Sequence, residues 1–154
     1  MSVSATTTAT TTSAALLARL REAPHVAAAG PAEQRLRDWL SGLAPGPSAA
    51  IGDLLAHPVA RDILIGIVEF SPYLFDLVRA DPERLIRLLN CDPDSHLETL
   101  IPVTAREVLA AGGEAEVMLA LRRMKAEAAL LIALCDIGGT GGPPARGALC
   151  GRGR

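Results

Sequence analysis

Aromatic residues are almost missing from this chain: Trp39, Phe70, Tyr73 and Phe75 are the four among 154 residues. Its core must therefore be built of Leu, Ile, Val and Ala, and a hydrophobic content of 49% supplies enough of them for one domain. Cysteine is as scarce. Cys91, Cys135 and Cys150 are odd in number, far apart and without Cys-x-x-Cys spacing, which argues against a disulfide framework or a zinc site and fits a reducing cytoplasm. Charge of one sign is lacking too. A formal net charge of -2 with both signs interspersed offers no basic patch for nucleic acid and no acidic tail. No apolar run is long enough to span a membrane, and residues 1–13, rich in Thr and Ser, lack the charged start and apolar stretch of a secretory signal. The first arginine is Arg19, so a transit peptide is compositionally weak. Nothing alternates with period two and no Asn-Gly hairpin signal occurs, which leaves an all-α chain.

What is present reads as helices with clear punctuation. The 1–13 stretch is expected to be a disordered tail. Residues 14–47 should hold two N-terminal helices and a linker: one or two turns over Leu16 to Glu22 stopped by Pro24, then a helix opened by Pro31 and running to about Leu40, with Leu36, Trp39 and Leu40 on one face and Arg35, Arg37 and Asp38 opposite. Two prolines and two glycines between Gly42 and Pro47 read as the linker. The helical region proper, 48–139, begins with Ser48 as a cap for a helix to about Ala56, ended by Pro58 through its restriction on His57. Val59 to Phe70 is apolar enough to be a core helix. Ser71-Pro72, Asp81-Pro82 and Asp92-Pro93 each join a capping oxygen to a proline at the first helical position, where the missing N–H costs nothing. The helices they open should turn Tyr73, Leu74, Leu77 and Val78, then Leu85, Ile86, Leu88 and Leu89, toward neighbours. Pro102 is expected to end the third of them, with Thr104 and Glu107 forming a capping box for a separate helix to Ala111. Short helices joined by one or two residues make a compact stack.

Glu114 to Gly139 predicts the longest helix. Val117, Leu121, Met124, Ala128, Leu131 and Cys135 recur three and four apart and form one apolar stripe, with Arg122, Arg123, Lys125 and Glu127 interrupting the other faces. From Ala128 to Cys135 no face is polar, so this half is expected to be surrounded by protein, and a chain lacking the covering surface is expected to self-associate.

Two parts of this pattern carry a resemblance. Leu121, Arg122, Arg123 and Lys125, an apolar run, then Asp136, Ile137 and Gly139 resemble a Leu-Arg-Arg-x-(Arg/Lys) cluster followed by Asp-(Ile/Leu)-x-Gly, the segment ahead of the first catalytic domain in bifunctional glutamine synthetase adenylyltransferase/adenylyl-removing enzymes. Ser71-Pro72-Tyr73-Leu74 with Asp81-Pro82-Glu83 is similar to a helix pair near the N-terminus of the same family, and the likeness runs from about Ala49 to Gly139. It implies the helical N-terminal part of the adenylyl-removing half of a nucleotidyltransferase that uses ATP and magnesium, acts on glutamine synthetase and answers to a PII-type signalling protein in nitrogen regulation. The family's metal- and phosphate-binding Gly-Ser-x-x-Asp-x-Asp does not occur in this chain. Residues 140–154, dominated by Gly, Pro and Arg, are expected to be unstructured and out of frame on a truncated gene.

Side chains that invite a catalytic reading have plainer ones. Asp81 with Glu83, and Asp92 with Asp94, mimic carboxylate pairs for a metal, yet helix capping already requires acids there. His25, His57 and His96 lie far apart in sequence without ligand spacing. Arg122, Arg123 and Lys125 suit a nucleotide phosphate, and suit a solvated face or acidic residues of a further domain better. Asp136 sits on the negative end of a helix dipole, at a cost of about 0.3–1 kcal/mol, and is expected to have a structural ion pair. Gly138, Gly139, Gly141 and Gly142 follow a helix, not a strand, and lack the Lys-Ser or Lys-Thr of a phosphate loop. No catalytic, cofactor-binding or metal-binding residue is assigned, so the chain by itself is expected to be a scaffold. The competing reading is a small cytoplasmic helical protein-interaction module whose exposed Leu/Ile helix binds a partner. Translating the underlying DNA in its other two frames separates them: a Gly-Ser-x-x-Asp-x-Asp continuation downstream is expected, and its absence would sink the truncation reading.

Overall fold

A computed structural model describes residues 15–140, and the expected tails lie outside them except for Thr140. Eight α-helices and no strand occupy the described residues: α1 Leu16–Arg19, α2 Gly30–Ser41, α3 Pro45–Leu55, α4 Pro58–Phe70, α5 Pro72–Ala80, α6 Pro82–Asn90, α7 Pro93–Ala110 and α8 Glu114–Ile137. The chain is all-α. Helix α4 is the centre, with Ala60, Ile63, Leu64, Ile65, Gly66, Ile67 and Val68 all buried. Around it pack α2, α3 and α5, while α6 touches α1, α3 and α5, and α8 pairs with α7 and reaches α5. The core is aliphatic from Leu16 to Leu134. Its aromatic residues stay at the rim: Trp39 meets Phe75 edge-on at 5.9 Å, Phe70 is exposed, and Tyr73, expected to turn inward, is 55% exposed.

The three Ser/Asp-Pro starts form as the sequence predicts. Ser71 Oγ accepts from the Leu74 N–H, Asp81 Oδ1 from Arg84 and Asp92 Oδ2 from Ser95. Two other proline readings are corrected. Pro45 and Pro47 lie in the first turn of α3, where N–H groups have no intrahelical acceptor, so neither costs a hydrogen bond and the linker shrinks to Gly42–Ala44. Ser48 is consequently inside α3, and its hydroxyl donates to the Leu40 carbonyl at 3.1 Å, tying α3 to the end of α2. Pro102 does not end a helix either: α7 runs through it from Pro93 to Ala110. No capping box forms, because Thr104 is buried and its hydroxyl donates back to Leu100 at 2.9 Å. Packing along α8 supplies what the missing Pro102 N–H withholds.

The two ends of the described chain meet. The Leu16 N–H donates to the Cys91 carbonyl at 2.7 Å, and those of Arg21 and Glu22 donate to Gly138 at 2.8 and 3.2 Å. This strap lies so close that a Cβ on Gly66 would overlap the Pro24 ring, and one on Gly138 would overlap Leu20 and the Leu134 carbonyl. Gly139, at φ 58°, then takes the left-handed turn that ends α8. Replacing Pro102 by Ala restores an interior helix hydrogen bond at an exposed site and is expected to stabilise the chain by about 1–3 kcal/mol; a denaturant midpoint that falls instead would show that α7 needs its proline geometry.

Candidate functional site

Chemistry-bearing side chains converge where α6, α7 and α8 meet, around Glu127. This carboxylate is only 9% exposed, although the sequence placed it among the residues that interrupt the wet faces. The reason is the phase of α8. Its buried face follows Val117, Ala120, Met124, Glu127, Leu131 and Leu134, a seam with heptad spacing in which position 127 falls inward. The expected stripe through Leu121 and Cys135 alternates between this seam and its neighbour, and Leu121 proves 40% exposed. Ile132, in the segment expected to be enclosed on all sides, is 49% exposed.

Three cationic or proton-bearing groups answer the buried carboxylate. Arg87 Nη2 donates to Glu127 Oε2 at 3.1 Å. Arg84 Nε lies 3.3 Å from the same oxygen and His96 Nε2 lies 3.2 Å from Oε1, both at ion-pair distance but off line for a hydrogen bond. Asp81 extends the cluster, with Oδ2 3.5 Å from Arg84 Nη2 and 3.6 Å from Arg87 Nη2. Arg84 Nη1 also donates to the Leu77 carbonyl at 2.9 Å, which brings in α5. The sequence offered one usable signal for this site: Arg84 and Arg87, three apart on α6, share a face with the Asp81 cap. For Arg87, burial opposes the charge, but the hydrogen bond and charge of Glu127, with help from Asp81, outweigh it and raise the guanidinium pKa. Two arginines against two carboxylates leave no surplus charge to attract phosphate, and every carboxylate oxygen facing a cation is already engaged.

The other sequence candidates fall outside this cluster or serve helices. Asp92 caps α7 and Asp94 lies 3.0 Å from Arg19, which also reaches Asp92 at 3.2 Å. The hydrogen bond to Asp94 leads in raising the Arg19 pKa above its usual value. Glu83 and His25 are exposed. His57 precedes α4, and its buried Nδ1 has no hydrogen-bond partner. Arg122, Arg123 and Lys125 are exposed, and among the described residues none has an ion pair. Asp136 was expected to be paired; it is exposed and has no ion pair among the described residues, because α8 turns it outward beside a groove and away from Arg84 and Arg87. Burial pushes the Cys91 thiol up to about 11 and raises Cys135 as well, so neither is a thiolate nucleophile near neutral pH. No group of three or more metal-ligating side chains occurs among the described residues. None of their helices is long and apolar enough to cross a membrane. Gly138 and Gly139 close α8, while Gly141 and Gly142 lie outside the described residues.

The sequence of this chain is similar to that of a known set of proteins. Over 124 residues, 80% of this chain, it is 64% identical to a bifunctional glutamine synthetase adenylyltransferase/adenylyl-removing enzyme of Bradyrhizobium diazoefficiens. Over those residues the chain belongs to that family. An enzyme of the same name from Bradyrhizobium sp. strain ORS 278 is 61% identical over 124 residues, and one from Rhodopseudomonas palustris strain HaA2 is 50% identical over 129. The chain matches only 12% of the length of the B. diazoefficiens protein and 13% of each of the other two. No family model matches it, and no solved structure does.

The Glu127 cluster is best explained as the joint of this family segment. Removing one partner of a buried ion pair strands the others, so Glu127→Ala is expected to cost about 3–5 kcal/mol in denaturant unfolding. Replacing Glu127 and Arg84 together by Met should recover most of that loss, and a double variant as weak as the single one would show that the pair does more than neutralise itself.

Proposed function

We propose that this chain is the helical scaffold at the N-terminal side of the adenylyl-removing half of a glutamine synthetase adenylyltransferase/adenylyl-removing enzyme, and that it has no active site of its own. The observation that carries the reading is the 64% identity over 124 residues, set beside a polar cluster whose charges are spent on one another. Moving AMP between ATP and a protein side chain depends on positioning and on electrostatic stabilisation of phosphate oxygens, for which closely spaced carboxylates holding metal ions are the usual means. In this chain Asp81 and Asp92 accept from helix N-termini while Asp94 faces Arg19. ATP, magnesium, glutamine synthetase and a PII-type signalling protein then belong to the whole enzyme, at work in the cytoplasm, and this segment holds the surrounding parts in place.

Incubating the full 154-residue chain with ATP, magnesium and glutamine synthetase, then weighing the intact synthetase by mass spectrometry, tests this. No gain of AMP is expected, and no loss from synthetase that already carries it. A change in proportion to added chain, abolished by Asp92→Asn with Asp94→Asn, would overturn the scaffold reading.

A further inference from the structure

Helix α8 has a second seam. One residue out of phase with the buried one, and so about 100° around the helix from it, Met118, Leu121, Lys125, Ala128 and Ile132 repeat with heptad spacing, with Arg122 and Ala129 beside them and Asp136 one turn beyond Ile132. Met118, Leu121 and Ile132 are 42%, 40% and 49% exposed. Apolar side chains at seam positions on an exposed helix are what a partner helix covers.

The charges on this face say which partner. Every described arginine before Asn90 is bonded to a carboxylate or a backbone carbonyl, whereas Arg122 and Lys125 have no ion pair among the described residues. Neither has Asp136, which lies two heptads after Arg122 on the same face. A two-fold axis through Ala129 that sets two α8 helices antiparallel places Arg122 of each copy opposite Asp136 of the other. The same operation places Leu121 beside the end of the other α8, where a groove of about 220 Å³ is lined by Leu97, Ile132 and Cys135 together with the charged Arg19, Asp94 and Asp136. Ala128 and Ala129 at the crossing carry no bulk to hold the helices apart. One helix face thus holds cations, the anion that matches them, and an apolar seam between them, in the order a self-complementary interface requires.

We propose that α8 docks antiparallel on a second copy of this chain through Met118, Leu121 and Ile132, with two symmetry-related Arg122–Asp136 ion pairs setting the register. A closed pair follows, because a contact related by a two-fold axis uses each patch once and leaves none open for growth. The proposal does not depend on the enzymatic reading, since it concerns only the surface of the described helices.

Light scattering coupled to size exclusion on the full chain reads the result at tens of micromolar. A dimer mass is expected for the unmodified chain. Leu121→Glu with Ile132→Glu should give monomer with an unchanged helical circular dichroism spectrum, both sites being exposed. Arg122→Glu and Asp136→Arg should each weaken the dimer about ten-fold or more, because either turns two attractions into two repulsions. The variant carrying both changes should return to within about three-fold of the unmodified chain. A monomer or open-ended aggregates for the unmodified chain would overturn the proposal, and so would a doubly changed variant no stronger than the single ones. Dimer retained by the Leu121→Glu, Ile132→Glu variant would place the interface elsewhere and overturn it too.

Discussion

A carboxylate inside an aliphatic core has to be neutralised where it stands, and that requirement on Glu127 organises the packing of the second half of the molecule. Leaving such a group unpaired costs several kcal/mol, so α6 must present Arg84 and Arg87 to it and α7 must bring His96. The same arginines then bind the Asp81 cap and the Leu77 carbonyl, which fixes how α5 meets α6. Apolar contacts alone allow helices to slide or rotate by a residue at little cost. A cluster with one acceptable arrangement does not, and specificity of register is the best-attested use of a buried ion pair.

The clamp between the ends of the described chain has a different origin. Leu16 and Leu20 fill the core at 0% and 3% exposure, but backbone hydrogen bonds to Cys91 and Gly138 hold them there. Those bonds need a backbone that nothing obstructs, which is why glycines stand at 66 and 138, where a Cβ would meet Pro24 and Leu20. A short strap that closes around α4 and α8 in this way lets a small aliphatic core, with its few aromatics at the rim, stay enclosed on the α4 side.

Much of the fold could be read from the sequence because its punctuation is local. Ser71, Asp81 and Asp92 cap their helices through side-chain oxygens that accept from N–H groups three residues on, and proline at the next position leaves no other reading. The prolines that misled, Pro47 and Pro102, did so where position within a helix decides the cost and the sequence does not state that position: one lies in a first turn, the other in an interior that packing against α8 sustains. The acid cluster was hidden for a similar reason. Glu127 follows Arg122, Arg123 and Lys125 and looks like one more charge on a wet face, and its partners lie 40 positions away in the case of Arg87. Only the three-dimensional phase of α8 separates it from them.

That phase also accounts for why the apolar stripe expected on the long helix is only partly covered, with Leu131 buried, Val117, Met124, Ala128 and Cys135 half-buried and Leu121 exposed. A helix with a single buried side has one stripe at a period near 3.6, and a periodicity search finds it. Helix α8 has two seams of heptad spacing, displaced by one residue, and a stripe drawn through Val117, Leu121, Met124, Ala128, Leu131 and Cys135 takes its members from each in turn. Each seam also holds one charge near its middle, Glu127 on the inner side and Lys125 on the outer. The inner charge is neutralised within the chain by α6 and α7, because both helices are on that side. The outer one is exposed and stays solvated, so it needs no partner within the chain, and the demand for neutralisation that fixes one face of α8 does not act on the other.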